Sequence, residues 1–139
     1  MDLDFVNSLG VHFKSAVSGI LFDYEFKINV KDESNPKFGY ANIVPNKKSF
    51  VEGVLIEISE MDFLLLDSYE GYPKLYSRSK IEIINTKTKK IFKAWVYNGN
   101  SDYIGKRNLL LNSDQKKRIQ RGFKFLSVEY QNRLLEIIS

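Results

Sequence analysis

From Ile20 to Val30 the chain alternates without interruption. Ile20, Phe22, Tyr24, Phe26, Ile28 and Val30 share one parity, and Asp23, Glu25, Lys27 and Asn29 share the other. Successive side chains of an extended backbone point to opposite faces, so this stretch predicts a long strand with one apolar face and one wet face. A strand of that length is not stable alone. It needs partner strands along its edges and a cover over its apolar side.

The remaining sequence supplies both. Lys31 to Phe38 is rich in Asp, Ser, Asn, Pro and Lys and predicts a loop. Tyr40 to Val44 predicts a short strand ended by Pro45 and Asn46, and Phe50 to Ile58 another, with Gly53 inviting a bulge or a close backbone approach. Ser79 to Ile84 and Ile91 to Tyr97 predict two strands joined through the polar link Asn85 to Lys90 as a hairpin. Ser59 is placed to cap a helix, with Glu60 and Asp62 in its first turn, Phe63, Leu65 and Leu66 on its apolar face, and a stop between Tyr69 and Gly71. Asn98 to Asn112 is polar and irregular. Ser113 predicts the start of a helix to about Phe125. Ser127 starts a last helix with Val128, Leu134, Leu135 and Ile138 turned inward. Strands in the middle with helices at the ends imply an α+β fold built on a sheet or small barrel, as a single domain over residues 1–139.

Composition narrows the chemistry. The 139 residues contain no cysteine, so thiol nucleophiles, disulfides and zinc–thiolate sites are excluded. His12 is the only histidine and no GxSxG elbow is present, which leaves little for a Ser-His-Asp triad. Neither a phosphate-binding glycine loop nor an EF-hand pattern occurs, so no cofactor and no metal are expected. No apolar run reaches the roughly 18 residues that cross a bilayer, and the acidic start MDLDFVNSLG is unlike a signal peptide; a cytoplasmic protein without a membrane partner is the expectation. The net charge of +4 comes largely from Lys87, Lys89 and Lys90 and from Lys116, Lys117, Arg118, Arg121 and Lys124. These read as a hairpin tip and the wet face of a helix rather than a nucleic-acid surface.

One carboxylate stands apart. Glu70 lies at the predicted end of a helix, ahead of a Gly71-Tyr72-Pro73 turn, with Tyr69, Tyr72 and Tyr76 nearby in sequence. Partial desolvation and the helix C-terminus both disfavour its charge, which raises a carboxyl toward the range useful for proton transfer. An exposed turn glutamate is the competing reading of the same residues.

Several segments together resemble the γ-glutamylcyclotransferase-like (AIG2-like, BtrG-type) family. They are GYANIVP (Gly39 to Pro45), VEGVLIEIS (Val51 to Ser59), LDSYEG (Leu66 to Gly71), YSR (Tyr76 to Arg78), AWVY (Ala94 to Tyr97) and EYQNRL (Glu129 to Leu134). The resemblance covers about residues 16 to 138 and rests on the order and spacing of these pieces. It implies a mixed β-barrel or strongly curved sheet flanked by helices, with a cavity at one end. It also implies intramolecular cyclisation of a small-molecule γ-glutamyl substrate to 5-oxoproline with release of an amine. By motif, Glu70 takes the catalytic glutamate's place and Tyr76 that of a pocket tyrosine; Tyr69 and Tyr72 are candidate wall residues. Family members open with a strand ending in a YGSN-like loop that holds the substrate and can stabilise an oxyanion. Met1 aligns just after that loop, so either the sequence starts late or the loop has been lost, which would expose a sheet edge. Gln115 falls where some members carry a pocket tyrosine. A non-catalytic member that binds a small ligand or a protein is the alternative.

Overall fold

The computed structural model describes residues 1–139. Its elements run α1 (Leu3–Ser8), β1 (Phe13–Lys31), β2 (Gly39–Ile58), α2 (Glu60–Glu70), β3 (Tyr76–Asn85), β4 (Ile91–Gly99), α3 (Ser113–Arg121) and α4 (Val128–Ile138), with short 3-10 turns at Ser101–Tyr103 and Phe123–Phe125. The four strands form one sheet in the order β2-β1-β3-β4, every neighbouring pair antiparallel.

The predicted strand is present and extends further toward the N-terminus. Its alternation, however, is broken. Asp23 has φ 67°, and the register shifts between Phe22 and Tyr24. Asp tolerates the left-handed region better than most side chains, so a bulge fits here. The extra residue reverses the facing of the strand before it. Leu21, not Phe22, is therefore buried, and Phe22 is 54% exposed. β2 shows the matching break: Tyr24 pairs with Pro45 and Phe22 with Phe50, so Asn46 to Ser49 loop out of the ladder. The two short strands expected on either side of Pro45 are thus successive partners of β1. Gly53 sits opposite Gly19 in regular register and nothing approaches it, so the expected bulge is absent there.

The sheet is curved and open, so of the two expected forms, a mixed barrel or a strongly curved sheet, it takes the second. β1 meets β3 only at Gly19–Asn85 and Ile20–Ile84, and β2 and β4 form no ladder. Beyond that corner the β3–β4 hairpin makes no further ladder pairs with β1. Its far end, Gly99, lies against Val30 and Asn42. The end of β1 is covered instead by the segment after β4. Gly105 donates to Asn29 O at 2.7 Å and Leu109 to Ile28 O at 2.9 Å.

Helices close the remaining faces. Phe63 of α2 packs edge-on against Trp95 and Tyr97 of β4. Glu52 of β2 accepts bonds from the Ser127 N–H and hydroxyl, at 2.8 and 2.7 Å, at the start of α4. Buried Tyr130 then packs on Phe50. Ile28, Leu111 and Ile138 form the core, with Phe26, Leu109 and Ile119 packed around them. α3 begins one residue earlier in its capping than expected, with Asn112 rather than Ser113 as the cap, and ends at Arg121 before the 3-10 turn. No helix is long and apolar enough to cross a membrane.

Candidate active site

A cavity of about 470 Å³ opens between α1, α2, α3 and the ends of β2, β3 and β4. Its lining is mostly apolar, with few polar groups, as small-molecule sites generally are. Glu70, Tyr69, Tyr76 and Gln115 all line it. Tyr72 does not: its ring lies 4.5 Å from the Arg78 guanidinium and is part of the packing around that residue.

Local chain chemistry places Glu70. Ser59 caps α2 by accepting from Asp62 N–H at 3.1 Å. The helix ends where Gly71 turns left-handed, φ 67°, a conformation that costs glycine little. Glu70 is therefore the last helical residue, and its side chain points into the cavity rather than along the helix surface. Burial pushes its carboxyl up to about 7, and no hydrogen bond or ion pair holds the charge. The absence of a partner distinguishes it from the other buried acid of α2, Asp67.

Asp67 accepts from Tyr97 Oη at 2.7 Å and from Arg78 Nη2 at 3.2 Å. Arg78 Nε stands 3.1 Å from the other carboxylate oxygen without the alignment of a hydrogen bond. The guanidinium also lies 4.5 Å from the ring centres of Phe63, Tyr72 and Trp95. This group ties α2 to β3 and β4 and so fixes where Glu70 stands.

Two cavity tyrosines have their hydroxyl protons committed elsewhere. Tyr97 donates to Asp67 and buried Tyr76 donates to Ala41 O at 2.7 Å. Burial is the main cause holding both phenols well above the usual range, and nearby Glu70 adds to it. Their oxygens can therefore offer lone pairs toward the cavity but no proton. Gln115 has its backbone N–H on the Asn112 cap at 2.9 Å, leaving its amide side chain as an uncommitted donor.

Sequence reading missed Tyr97, Tyr40, Phe5 and Arg118, which also line the cavity. A signal for Arg118 existed: Gln115, Arg118 and Ile119 share one face of α3 at i, i+3 and i+4. Of the basic cluster assigned to a wet helix face, Arg118 faces the cavity and Arg121 pairs with buried Asp2 at 3.0 Å. No group of three or more His, Asp or Glu residues is placed to hold a metal ion.

Comparison with known proteins bears on the fold and family. A family model described as gamma-glutamyl cyclotransferase, AIG2-like, matches residues 21–121. A Methanocaldococcus jannaschii protein, provisionally named a gamma-glutamylcyclotransferase, is 34% identical over 73 residues. That stretch is 48% of this chain and 60% of the archaeal one, so the match spans less than two thirds of the relative. An uncharacterized human protein superposes with a TM-score of 0.74 at 21% identity, covering 88% of this chain and 75% of that one. A solved gamma-glutamyl cyclotransferase gives 0.73 at 20% with the same coverages. YkqA of Bacillus subtilis gives 0.75 at 19%, over 89% of this chain and 44% of its own. With the family model spanning well over half of the sequence, the chain belongs to the gamma-glutamyl cyclotransferase, AIG2-like family.

Proposed function

We propose that this chain cyclises a γ-glutamyl substrate to 5-oxoproline, with Glu70 as the general acid and base. The observation that carries the reading is a carboxyl held near 7 by burial, unpartnered, at a cavity edged by two tyrosine oxygens. In the reaction the α-nitrogen of the substrate attacks its own γ-carbonyl carbon. The new ring C–N bond forms and the bond to the leaving nitrogen breaks. Two protons leave the attacking ammonium and two arrive on the leaving nitrogen, which departs as an ammonium ion. One carboxyl shuttling between the two nitrogens meets that balance, and it works best when its pKa is near the working pH.

The other residues have matching roles in this reading. The Tyr76 and Tyr97 oxygens, with Glu70, accept hydrogen bonds from the substrate ammonium. The Gln115 amide donates to the carbonyl oxygen as negative charge develops there. The confined cavity holds the substrate folded, which supplies much of the rate for a ring closure. Release of 5-oxoproline from γ-glutamyl amino acids is the direct test. Glu70→Gln and Glu70→Ala are each expected to lower kcat by at least about a hundredfold. Full activity in both variants would remove Glu70 from the mechanism.

A further inference from the structure

Arg118 projects from α3 into the cavity wall. Its guanidinium stacks on the Phe5 ring, 3.8 Å from the ring centre, and its Nη1 donates to Tyr69 Oη at 3.3 Å. Phe5 and Tyr69 meet edge to face at 5.3 Å, so the cation rests on a rigid aromatic corner. Stacking of this kind holds a guanidinium in one plane while leaving its edge free for a forked contact.

The charge on that corner is not neutralised by the protein. The other guanidiniums near the cavity have carboxylates: Arg78 has Asp67 and Arg121 has Asp2. Arg118 has none. A cation lining an apolar cavity without a counter-ion is poised to take one from a ligand, and a carboxylate matches the guanidinium fork. Arg118 makes no ion pair with Glu70 either, although both line the cavity, so each is free to meet a different group of a bound ligand. Tyr69 is 47% exposed, which places its hydroxyl and the Arg118 corner at the rim.

We propose that Arg118 is the specificity-determining residue of this cavity, receiving a carboxylate carried by the leaving part of the substrate. The inference rests on the cyclisation reading above and deepens it. The reacting nitrogen and the carbons beside it must lie at Glu70. A carboxylate reaching the rim is therefore the one on the far side of the bond that breaks. The leaving group so selected is an amino acid with a free carboxylate rather than a simple amine.

The experiment compares γ-glutamyl-alanine with γ-glutamyl-ethylamide, which differ only in the leaving group's carboxylate. The full chain is expected to prefer γ-glutamyl-alanine by about tenfold to a hundredfold in kcat/KM, carried by KM. Arg118→Met, which keeps an apolar stem on Phe5, is expected to erase that preference, and Arg118→Lys to keep part of it. Equal use of the two substrates by the unmodified chain, which needs no variant to fold, overturns the proposal. So does a preference that survives Arg118→Met. If neither substrate is turned over, the cyclisation reading falls separately and calorimetric binding of the same two compounds decides. Tighter binding of γ-glutamyl-alanine that Arg118→Met abolishes upholds the role of Arg118; equal binding, or none, overturns it.

Discussion

Glu70 is held at about 7 in the folded chain against 4.5 for the free side chain, with burial as the cause. The folded state therefore binds that proton more tightly than the unfolded state. Near pH 4 the carboxyl is protonated in both states and its full share of stability is present. Between 4.5 and 7 the unfolded chain releases the proton while the folded chain retains it, so stability falls as pH rises and levels off above 7. A shift of this size corresponds to about 3 kcal/mol. Glu70→Gln removes the titration and keeps the shape. By urea denaturation the variant is expected to match the parent near pH 4 and to exceed it by about 2 to 3 kcal/mol at pH 8. A stability difference that does not change with pH would mean the carboxyl titrates as it does in water. In the cyclisation reading the same proton sets an acidic limb in kcat/KM with its midpoint near 7, so the residue that weakens the fold at neutral pH is the one that makes it reactive.

Among the elements, α2 was the most legible in sequence, because its signals are local. Ser59, the acids after it and Gly71 each act within a few residues, and the structure uses all of them. What holds α2 in place was not legible. Asp67 falls within the LDSYEG segment, but its partners Arg78 and Tyr97 come from β3 and β4. No periodicity links residues so far apart in sequence. Phe22 failed for a related reason. Alternation predicts facing only while the register holds, and a single residue at Asp23 reverses it. α1 is only six residues; Phe5, Val6 and Leu9 share the face that lines the cavity, but so short a stripe does not by itself identify a helix. Asp67→Ala tests the anchor. It leaves Arg78 with only aromatic neighbours in a largely buried setting, and the expected loss is about 3 kcal/mol in urea denaturation. Tyr97→Phe, which removes one hydrogen bond to the same carboxylate, is expected to cost about 1 to 2 kcal/mol. A loss below about 0.5 kcal/mol for Asp67→Ala would show that α2 is held by Phe63 and its aromatic contacts alone.

At the scale of the whole molecule, two hairpins share a short corner at Gly19 and Ile20 and meet again at their far ends through polar contacts. Asn42 of β2 is the link. Its Oδ1 accepts from Gly99 N–H at 2.9 Å and its Nδ2 donates to Asn29 Oδ1 at 3.0 Å. Both asparagines are buried, so neither can turn to water if its partner is lost. Gly99 belongs to the same junction: a side chain there would strike Val30 and crowd Ile104 and Asn42, which is why the hairpins approach so closely at this residue. Tyr76 adds the third tie through Ala41 and is also a cavity residue, so the docking of the hairpins sets the shape of the site. Asn42→Ala removes two bonds and leaves a buried N–H and a buried amide unpaired. The expected cost is about 2 to 3 kcal/mol. The consequence should also be local, because β1 and β2 pair along nearly their whole length while β3 is joined to β1 only at the corner. Native-state hydrogen exchange is expected to show the amides of Tyr76 to Gly99 exchanging faster in Asn42→Ala, with those of Val17 to Val51 changing little. Equal acceleration in both hairpins would instead mean that the sheet opens as one cooperative unit, with the corner at Gly19 and Ile20 strong enough to transmit the loss.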